Sequence, residues 1–241
     1  MGRHFEVRAA SMAATAAKKS AIYMRASKEI YMAAKSGTPD PNSNLALRSA
    51  IEKYRKSCPK DVIERAIKKA AGGEAETYIA GRYEAYGPGN CYIIVDTLTD
   101  NVNRALTDVR TAITKKGGHM GTVSYNFEHV GIFGFEGTAE LRDTIEETLI
   151  LNDVDVREVS YEDNYIEVIV SPESFSIARD QITECGIKEF DTAELTMLPN
   201  DKVTLTGEDL EKFNQLLDAL DDVQDVQEVY HNVDLPDEDE E

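Results

Sequence analysis

Apolar residues recur every three or four positions through the first third of the chain and every two positions in much of the rest. Ile22, Ala26, Ile30 and Ala33 form one stripe of a helix predicted over residues 11–36, with Lys18, Arg25, Lys28 and Lys35 on roughly the opposite side. Gly37 and the run Thr38-Pro39-Asp40-Pro41 end that helix and turn the chain. A second helix is expected over residues 43–57, with Leu47, Ala50, Ile51 and Tyr54 inward. Pro59 opens a third, where its missing N–H costs nothing. Asp61 and Glu64 suit the positive end of this helix. Val62, Ile63, Ala66, Ile67 and Ala70 face in, Arg65, Lys68 and Lys69 face out, and Gly72-Gly73 stop it.

The period then becomes two. Strands are expected at 78–86, 91–98, 122–128 and 131–136, with a turn at Gly87-Pro88-Gly89-Asn90. A helix at about 101–116, capped by Thr99 or Asp100, buries Val102, Leu106, Val109 and Ile113 and ends at Gly117-Gly118. Further on come a helix at 138–151, a hairpin 155–161/164–170 turning at Glu162-Asp163, a helix at 172–185 and a strand at about 187–198. A strand at 202–206, a helix at 207–221 and a strand at 225–231 complete the pattern. From 131 to 198 the order is βαββαβ, the ferredoxin-like split βαβ. Strand 91–98, helix 101–116 and strand 122–128 before it, with strand 202–206, helix 207–221 and strand 225–231 after it, repeat that order. The expected class is therefore α+β and multidomain: a basic helical module, then two ferredoxin-like α/β domains, one inserted in the other. The boundaries are 1–77 for the helical domain, 78–129 plus 199–233 for the discontinuous domain, 130–198 for the insert and 234–241 for a tail.

Charge divides the chain at the same place. The net charge is −19, which by itself argues against a nucleic-acid binder. Yet residues 1–73 hold 15 Lys and Arg against 6 Asp and Glu, while residues 74–241 hold 11 against 39. A module of net +9 on a body of net −28 suggests that one end meets a polyanion and the other does not. The plainer reading is that the basic residues are only the solvated faces of the helices. Six carboxylate side chains between Asp234 and Glu241 read as a disordered, solubilising tail that could also shield the module. The 241 residues suffice for one to three domains. No apolar run reaches the ~18 residues of a membrane span, and no secretory signal is visible. Three widely spaced cysteines, Cys58, Cys91 and Cys185, favour a reducing cytosol over a disulfide framework, so the cytoplasm is the expected location.

Catalytic chemistry is hard to find. There is no phosphate-cradling glycine loop, no CxxC, no HExxH and no GxSxG, so neither a cofactor nor an enzyme is expected. His4, His119, His129 and His231 lie at no metal-ligand spacing. Tyr83, Tyr86, Tyr92 and Tyr125 could stack bases or simply pack the sheets. Two stretches stand out. Asn101, Asn103 and Arg104 crowd a helix start, either as caps or as an anion contact. Lys115 and Lys116 precede Gly117-Gly118, where the helix dipole alone explains them but a ligand could also approach. The candidate phosphate contacts are Lys18, Lys19, Arg25, Lys28, Arg48, Lys60, Arg65, Lys68 and Lys69, with Asn101, Asn103, Arg104, Lys115 and Lys116 as a second contact.

Several strings in order carry a resemblance: Asp40-Pro41-Asn42-Ser43-Asn44, Leu47-Arg48, Ala50-Ile51, Pro59-Lys60-Asp61-Val62-Ile63-Glu64-Arg65-Ala66-Ile67 and Gly72-Gly73. Tyr83-Glu84-Ala85-Tyr86-Gly87-Pro88-Gly89, Leu98-Thr99-Asp100-Asn101-Val102-Asn103-Arg104, Gly117-Gly118 and Ser124-Tyr125-Asn126-Phe127 follow. From about residue 18 to 233 the chain resembles the YebC/PmpR family, in particular its YeeN-like branch. The resemblance implies a helical N-terminal domain with two α/β domains, and a regulator of gene expression without catalytic activity. Members are described as probable DNA-binding transcriptional regulators. They also include a mitochondrial translational activator, and bacterial members are linked to ribosomes stalled on proline-rich nascent chains. The implied partner is thus DNA, or ribosomal or transfer RNA on the ribosome. The residues themselves favour a binder of polyanions without sequence readout, because Lys and Arg dominate where base-reading side chains would stand. Phe5-Glu6-Val7 departs from the Trp-bearing basic start usual in the family, and the segment from Gly118 to Ser124 is shorter than usual.

Overall fold

The computed structural model describes residues 16–72 and 76–235, with the side chains of residues 16–20 excepted. The first five residues of the first expected helix, Gly73 and residues 236–241 of the acidic tail lie outside the described residues. Three helices come first: α1 (Ala16–Lys35), α2 (Leu45–Tyr54) and α3 (Lys60–Ala71). Their shared core holds Ala26, Ile30, Tyr31, Leu47, Ala50 and Ala66. Asn44 locks the α1–α2 turn. Its Oδ1 accepts from Leu47 N at 3.1 Å, and its Nδ2 donates to the Ala33 and Thr38 carbonyls at 2.8 Å each. One Asn thus caps both helices.

The remainder is an α+β arrangement of two four-stranded antiparallel sheets. The first contains β1 (Ile79–Tyr86), β2 (Tyr92–Thr99), β3 (His119–Met120) and β8 (Val226–His231), in the order β3-β1-β2-β8. The helices α4 (Val102–Lys115) and α7 (Gly207–Asp221) cover one face, burying Ile93, Val95, Val109, Ile113, Phe213 and Leu216. The second contains β4 (Phe127–Glu136), β5 (Val156–Glu162), β6 (Tyr165–Val170) and β7 (Thr192–Pro199), in the order β5-β6-β4-β7. Its covering helices are α5 (Ala139–Leu151) and α6 (Phe175–Glu184), packed on Phe133, Phe135 and Val168. Ile94, Val123, Phe127 and Met197 form a smaller buried cluster that joins the two sheets.

The first sheet departs from the expected repeat of βαββαβ. Residues 122–126 join no strand. Both amides of Val123 and Ser124 donate to the Glu84 carboxylate, at 2.7 and 2.8 Å, and Ser124–Asn126 close a 3₁₀ turn. Strand β4 then begins at Phe127 and runs unbroken to Glu136 in the other sheet, so the expected strands 122–128 and 131–136 are one. Alternating Val123, Tyr125 and Phe127 mimic a strand, but Val123 and Phe127 reach the inter-sheet cluster from either side of the turn. Residues 202–206 supply only an isolated parallel bridge, Val203 to Val233, and Thr206 stands at the N-cap position of α7 without a side-chain capping bond. The place that was expected for a 122–128 strand is filled by His119–Met120, and β1 sits inside the sheet.

Smaller corrections follow from local chemistry. The cap of α4 is Asn101, whose Oδ1 accepts from Arg104 N at 3.0 Å, rather than Thr99 or Asp100. Val102, placed inward by the sequence pattern, is 44% exposed. The β5–β6 turn is made by Asp163 and Asn164, with φ of 48° and 63°, a left-handed pair suited to a two-residue hairpin. The helix expected at 172–185 opens with a 3₁₀ turn, Pro172–Ser174, before α6.

His231 illustrates the cost of the compact core. Its ring lies edge-on to Phe213 at 5.0 Å, and Nδ1 accepts from Val233 N at 3.2 Å. Burial pushes its pKa from 6.5 down to about 4. Between those values the unfolded chain holds a proton that the folded chain refuses, so stability is full above pH 6.5 and is lost as pH falls through 4. The loss is on the order of 3 kcal/mol. Urea denaturation at pH 7, 5.5 and 4.5 should show this slope in the wild type and a shallower one in His231→Phe; parallel slopes would refute it.

Candidate nucleic-acid interface

The basic residues singled out in the sequence fall into two groups. The first is turned inward. Lys28 is 9% exposed, and its Nζ donates to Leu98 O at 3.2 Å, Gln224 O at 3.1 Å and Asp225 Oδ1 at 3.2 Å. All three ammonium protons are satisfied. Arg25 donates from Nε to Val226 O at 2.9 Å and from Nη2 to the Asp221 carbonyl and carboxylate at 3.1 Å each. Arg104 meets Asp225 through Nε at 3.0 Å and Nη2 at 2.7 Å, and adds Asp100 Oδ1 at 2.7 Å. Its hydrogen bonds to Asp225 and Asp100 raise its pKa. Lys28 and Arg25 are therefore structural, not phosphate contacts. The helix that carries them packs on α2 and α3, and these two side chains reach carbonyls and the carboxylates of Asp221 and Asp225 instead of water. Asn101 is a cap, and Arg104 belongs to the same buried-carboxylate site.

The second group is turned outward. Lys60, Arg65, Lys68 and Lys69 lie on the exposed side of α3. Lys60 pairs with Glu64 at 3.4 Å, Arg65 with Asp61 at 2.7 Å and Lys69 with Glu76 at 2.6 Å. Lys68 has no ion-pair partner among the described residues. Exposed pairs of this kind are weak, so a phosphate can replace the carboxylate. Arg48, also exposed, donates to the Pro41 and Asn42 carbonyls at 3.2 and 3.0 Å and braces the α1–α2 loop. Lys18 and Lys19 lie in α1, with side chains outside the described ones. On α4, Asn103 and Lys115 are exposed, while Lys116 at its C-terminal end donates to Gln215 Oε1 at 2.9 Å.

Sequence reading missed the contacts that orient the module. Lys53 lies between Glu29 at 3.1 Å and Glu228 at 2.7 Å, and Tyr54 donates to Glu29 at 2.6 Å. Burial would lower the Lys53 pKa, but the charges of Glu228, Tyr54 and Glu29 hold it well above its usual value. Arg179 donates to Glu52, and Arg55 and Lys56 pair with Glu189 and Asp191 at 3.4 and 2.8 Å. Burial, then the charge of Arg48, lowers the pKa of Arg179. None of these pairs is near in sequence, and one carboxylate among 45 acidic residues carries no mark of its partner. Among the described residues no group of three or more His, Cys, Asp or Glu is placed to hold a metal ion, and no helix is long and apolar enough to cross a membrane.

A helical module with one charged outer face, clamped to a two-sheet α+β body, defines the class of protein. The family model of the TACO1/YebC protein N-terminal domain matches residues 3–73, and that of the TACO1/YebC second and third domain matches residues 78–233. The chain belongs to the TACO1/YebC family. It is 49% identical over 236 residues to a probable transcriptional regulatory protein of Mesoplasma florum, a match covering 96% of this chain and 99% of that one. A protein of the same description from Mycoplasma capricolum is 47% identical over 239 residues, covering 98% of this chain and all of that one (100%). The crystal structure of a conserved hypothetical protein from Aquifex aeolicus is similar with a TM-score of 0.74 at 32% identity, over 94% of each chain.

Replacing Asp225 by Ala leaves Lys28 without its buried counter-ion and Arg104 without its bidentate partner. Removing one member of a buried pair costs roughly 3–5 kcal/mol. Asp225→Ala should show that loss in urea, with hydrogen exchange rising in α1 and β8 before it rises in β4 and β6. The exposed control Asp100→Asn should match the wild type. A wild-type stability for Asp225→Ala would remove the clamp from the account.

Proposed function

We propose that the protein is a non-catalytic, nucleic-acid-binding regulator of gene expression, acting on DNA as a transcriptional regulator. The observation that carries this reading is the outer side of α3. It presents Lys60, Arg65, Lys68 and Lys69 on one exposed surface, with only solvent-exposed carboxylates opposing them. Such a surface suits phosphates, which position a protein on a nucleic acid without reading its sequence. The names of the Mesoplasma and Mycoplasma relatives support the regulatory part. The acidic remainder of the chain confines attraction to this face.

We read the second sheet, ordered β7-β4-β6-β5 with every neighbour antiparallel, as the split βαβ arrangement. On this reading it is a domain inserted between β3 and β8 of the first sheet. A translation factor docking on RNA would use the same charged face, and the two readings part on the nucleic acid preferred.

Exchanging Lys60, Arg65, Lys68 and Lys69 for Glu together should weaken binding to a DNA duplex and flatten its salt dependence. The expected change is about one unit of log-log slope for each phosphate that is no longer neutralised. Fluorescence anisotropy at several salt concentrations reads both. An unchanged slope would move the binding face elsewhere, and a clear preference for an RNA stem would favour the translation reading.

A further inference from the structure

One end of the first sheet carries an aromatic group that the α3 face does not use. Tyr86 closes β1 and Tyr92 opens β2, directly opposite each other in the antiparallel register. Their rings meet edge-on at 5.5 Å. His119 of β3, the neighbour of Tyr86 on the other side, lies flat on the Tyr86 ring at 5.0 Å with 15° between planes. Tyr125 adds a fourth ring, edge-on to Tyr92 at 5.9 Å. Tyr125 is 64% exposed, and His119 is exposed as well.

The backbone beneath Tyr125 is held at several points although most of its ring is exposed. Glu84 accepts from the amides of Val123 and Ser124. Burial opposes the charge of that carboxylate, but those two N–H donors keep its pKa below the usual range. Asn200 donates from its backbone to Asn126 O at 2.8 Å and from its side chain to Tyr125 O at 3.4 Å. Tyr86 gives its single hydroxyl proton to Thr122 O at 3.1 Å, so the 3.3 Å contact between the two hydroxyls has Tyr125 as donor. Gly121 lets the chain pass the Tyr86 ring, since a Cβ there would lie 2.6 Å from it. An exposed ring costs hydration free energy, and a turn pinned this tightly does not need one for packing. Pre-organised, open aromatic faces are what stacking on a base requires.

We propose that Tyr125 and His119, backed by Tyr86 and Tyr92, form a stacking platform for the unpaired bases of a single-stranded nucleic acid. This deepens the nucleic-acid reading above and rests on it. Charge agrees with the chemistry: Lys115, exposed and without an ion pair among the described residues, ends α4 one tight turn before His119 and can meet the adjoining phosphate. Gly117, with φ of 86°, makes that turn possible. A duplex, whose bases are already stacked on one another, has no free face to offer the platform.

The test uses the full chain with fluorescein-labelled oligo(U), oligo(dT) and a hairpin duplex, each of about a dozen nucleotides. Tyr125→Ala should weaken single-strand binding about 5- to 150-fold at an unchanged salt slope and an unchanged melting temperature. Tyr125→Phe, which keeps the ring, should retain most of the affinity. His119→Ala offers a second exposed site and should weaken binding in the same sense. The α3 variant should instead flatten the slope while leaving the ratio of wild type to Tyr125→Ala intact. Tighter binding of oligo(U) than oligo(dT) would identify RNA as the source of the bases, and the reverse would identify DNA. Equal affinity of Tyr125→Ala and wild type, or an equal loss in Tyr125→Phe, overturns the platform. Binding to the duplex alone overturns it while leaving the proposed function standing, and binding to none of the three overturns both.

Discussion

Asp225 is a carboxylate with 1% of its surface exposed, and the placement of the helical module depends on it. It stands just before β8, and its carbonyl takes up the Leu98 amide at 2.9 Å. Its side chain faces Lys28 from α1 and Arg104 from α4. A lone buried carboxylate would be expelled to water or protonated. With two cations and a satisfied backbone it instead joins three elements distant in sequence. The same condition explains why Lys28 has no role on the surface: its ammonium completes a site that would otherwise be unbalanced.

This arrangement divides the positive charge of the first helices. Arg25, Lys28 and Lys53 hold the module against the acidic sheet unit, through Asp221, Asp225 and Glu228. Arg55 and Lys56 reach the other sheet unit at Glu189 and Asp191. The opposite net charges of the two parts of the chain are thus partly a docking force within the molecule. The cations of the α3 face point outward, and the ion pairs there are exposed and screened by salt.

The same division applies to the aromatic residues. Tyr31 and Tyr54 are buried, and Tyr54 also donates to Glu29. Tyr125 is 64% exposed, although its ring meets Tyr92 edge-on and its hydroxyl meets that of Tyr86. Two surfaces, one cationic and one aromatic, lie on different units. A single strand contacting both would gain from electrostatic attraction and stacking without base-specific hydrogen bonds.

Much of this was legible in the chain. The three helices, the hairpin and the α5, α6 and α7 segments follow from local periodicity and caps, because a helix or a hairpin is decided largely by residues a few positions apart. The basic module was visible for the same reason: charge is additive along a sequence. The tertiary structure alone decided the fate of residues 122–126, where strand-like alternation lost to a carboxylate that captured two amides, and of residues 202–206, which keep a single bridge to Val233. It also decided which cations are turned inward. Arg25 and Lys28 have the same local signature as Lys68 and Lys69, and only the approach of Asp221 and Asp225, nearly two hundred residues away, separates the inward pair from the exposed one. Periodicity reports which side of an element is apolar; it holds no information on what a distant segment brings to the polar side.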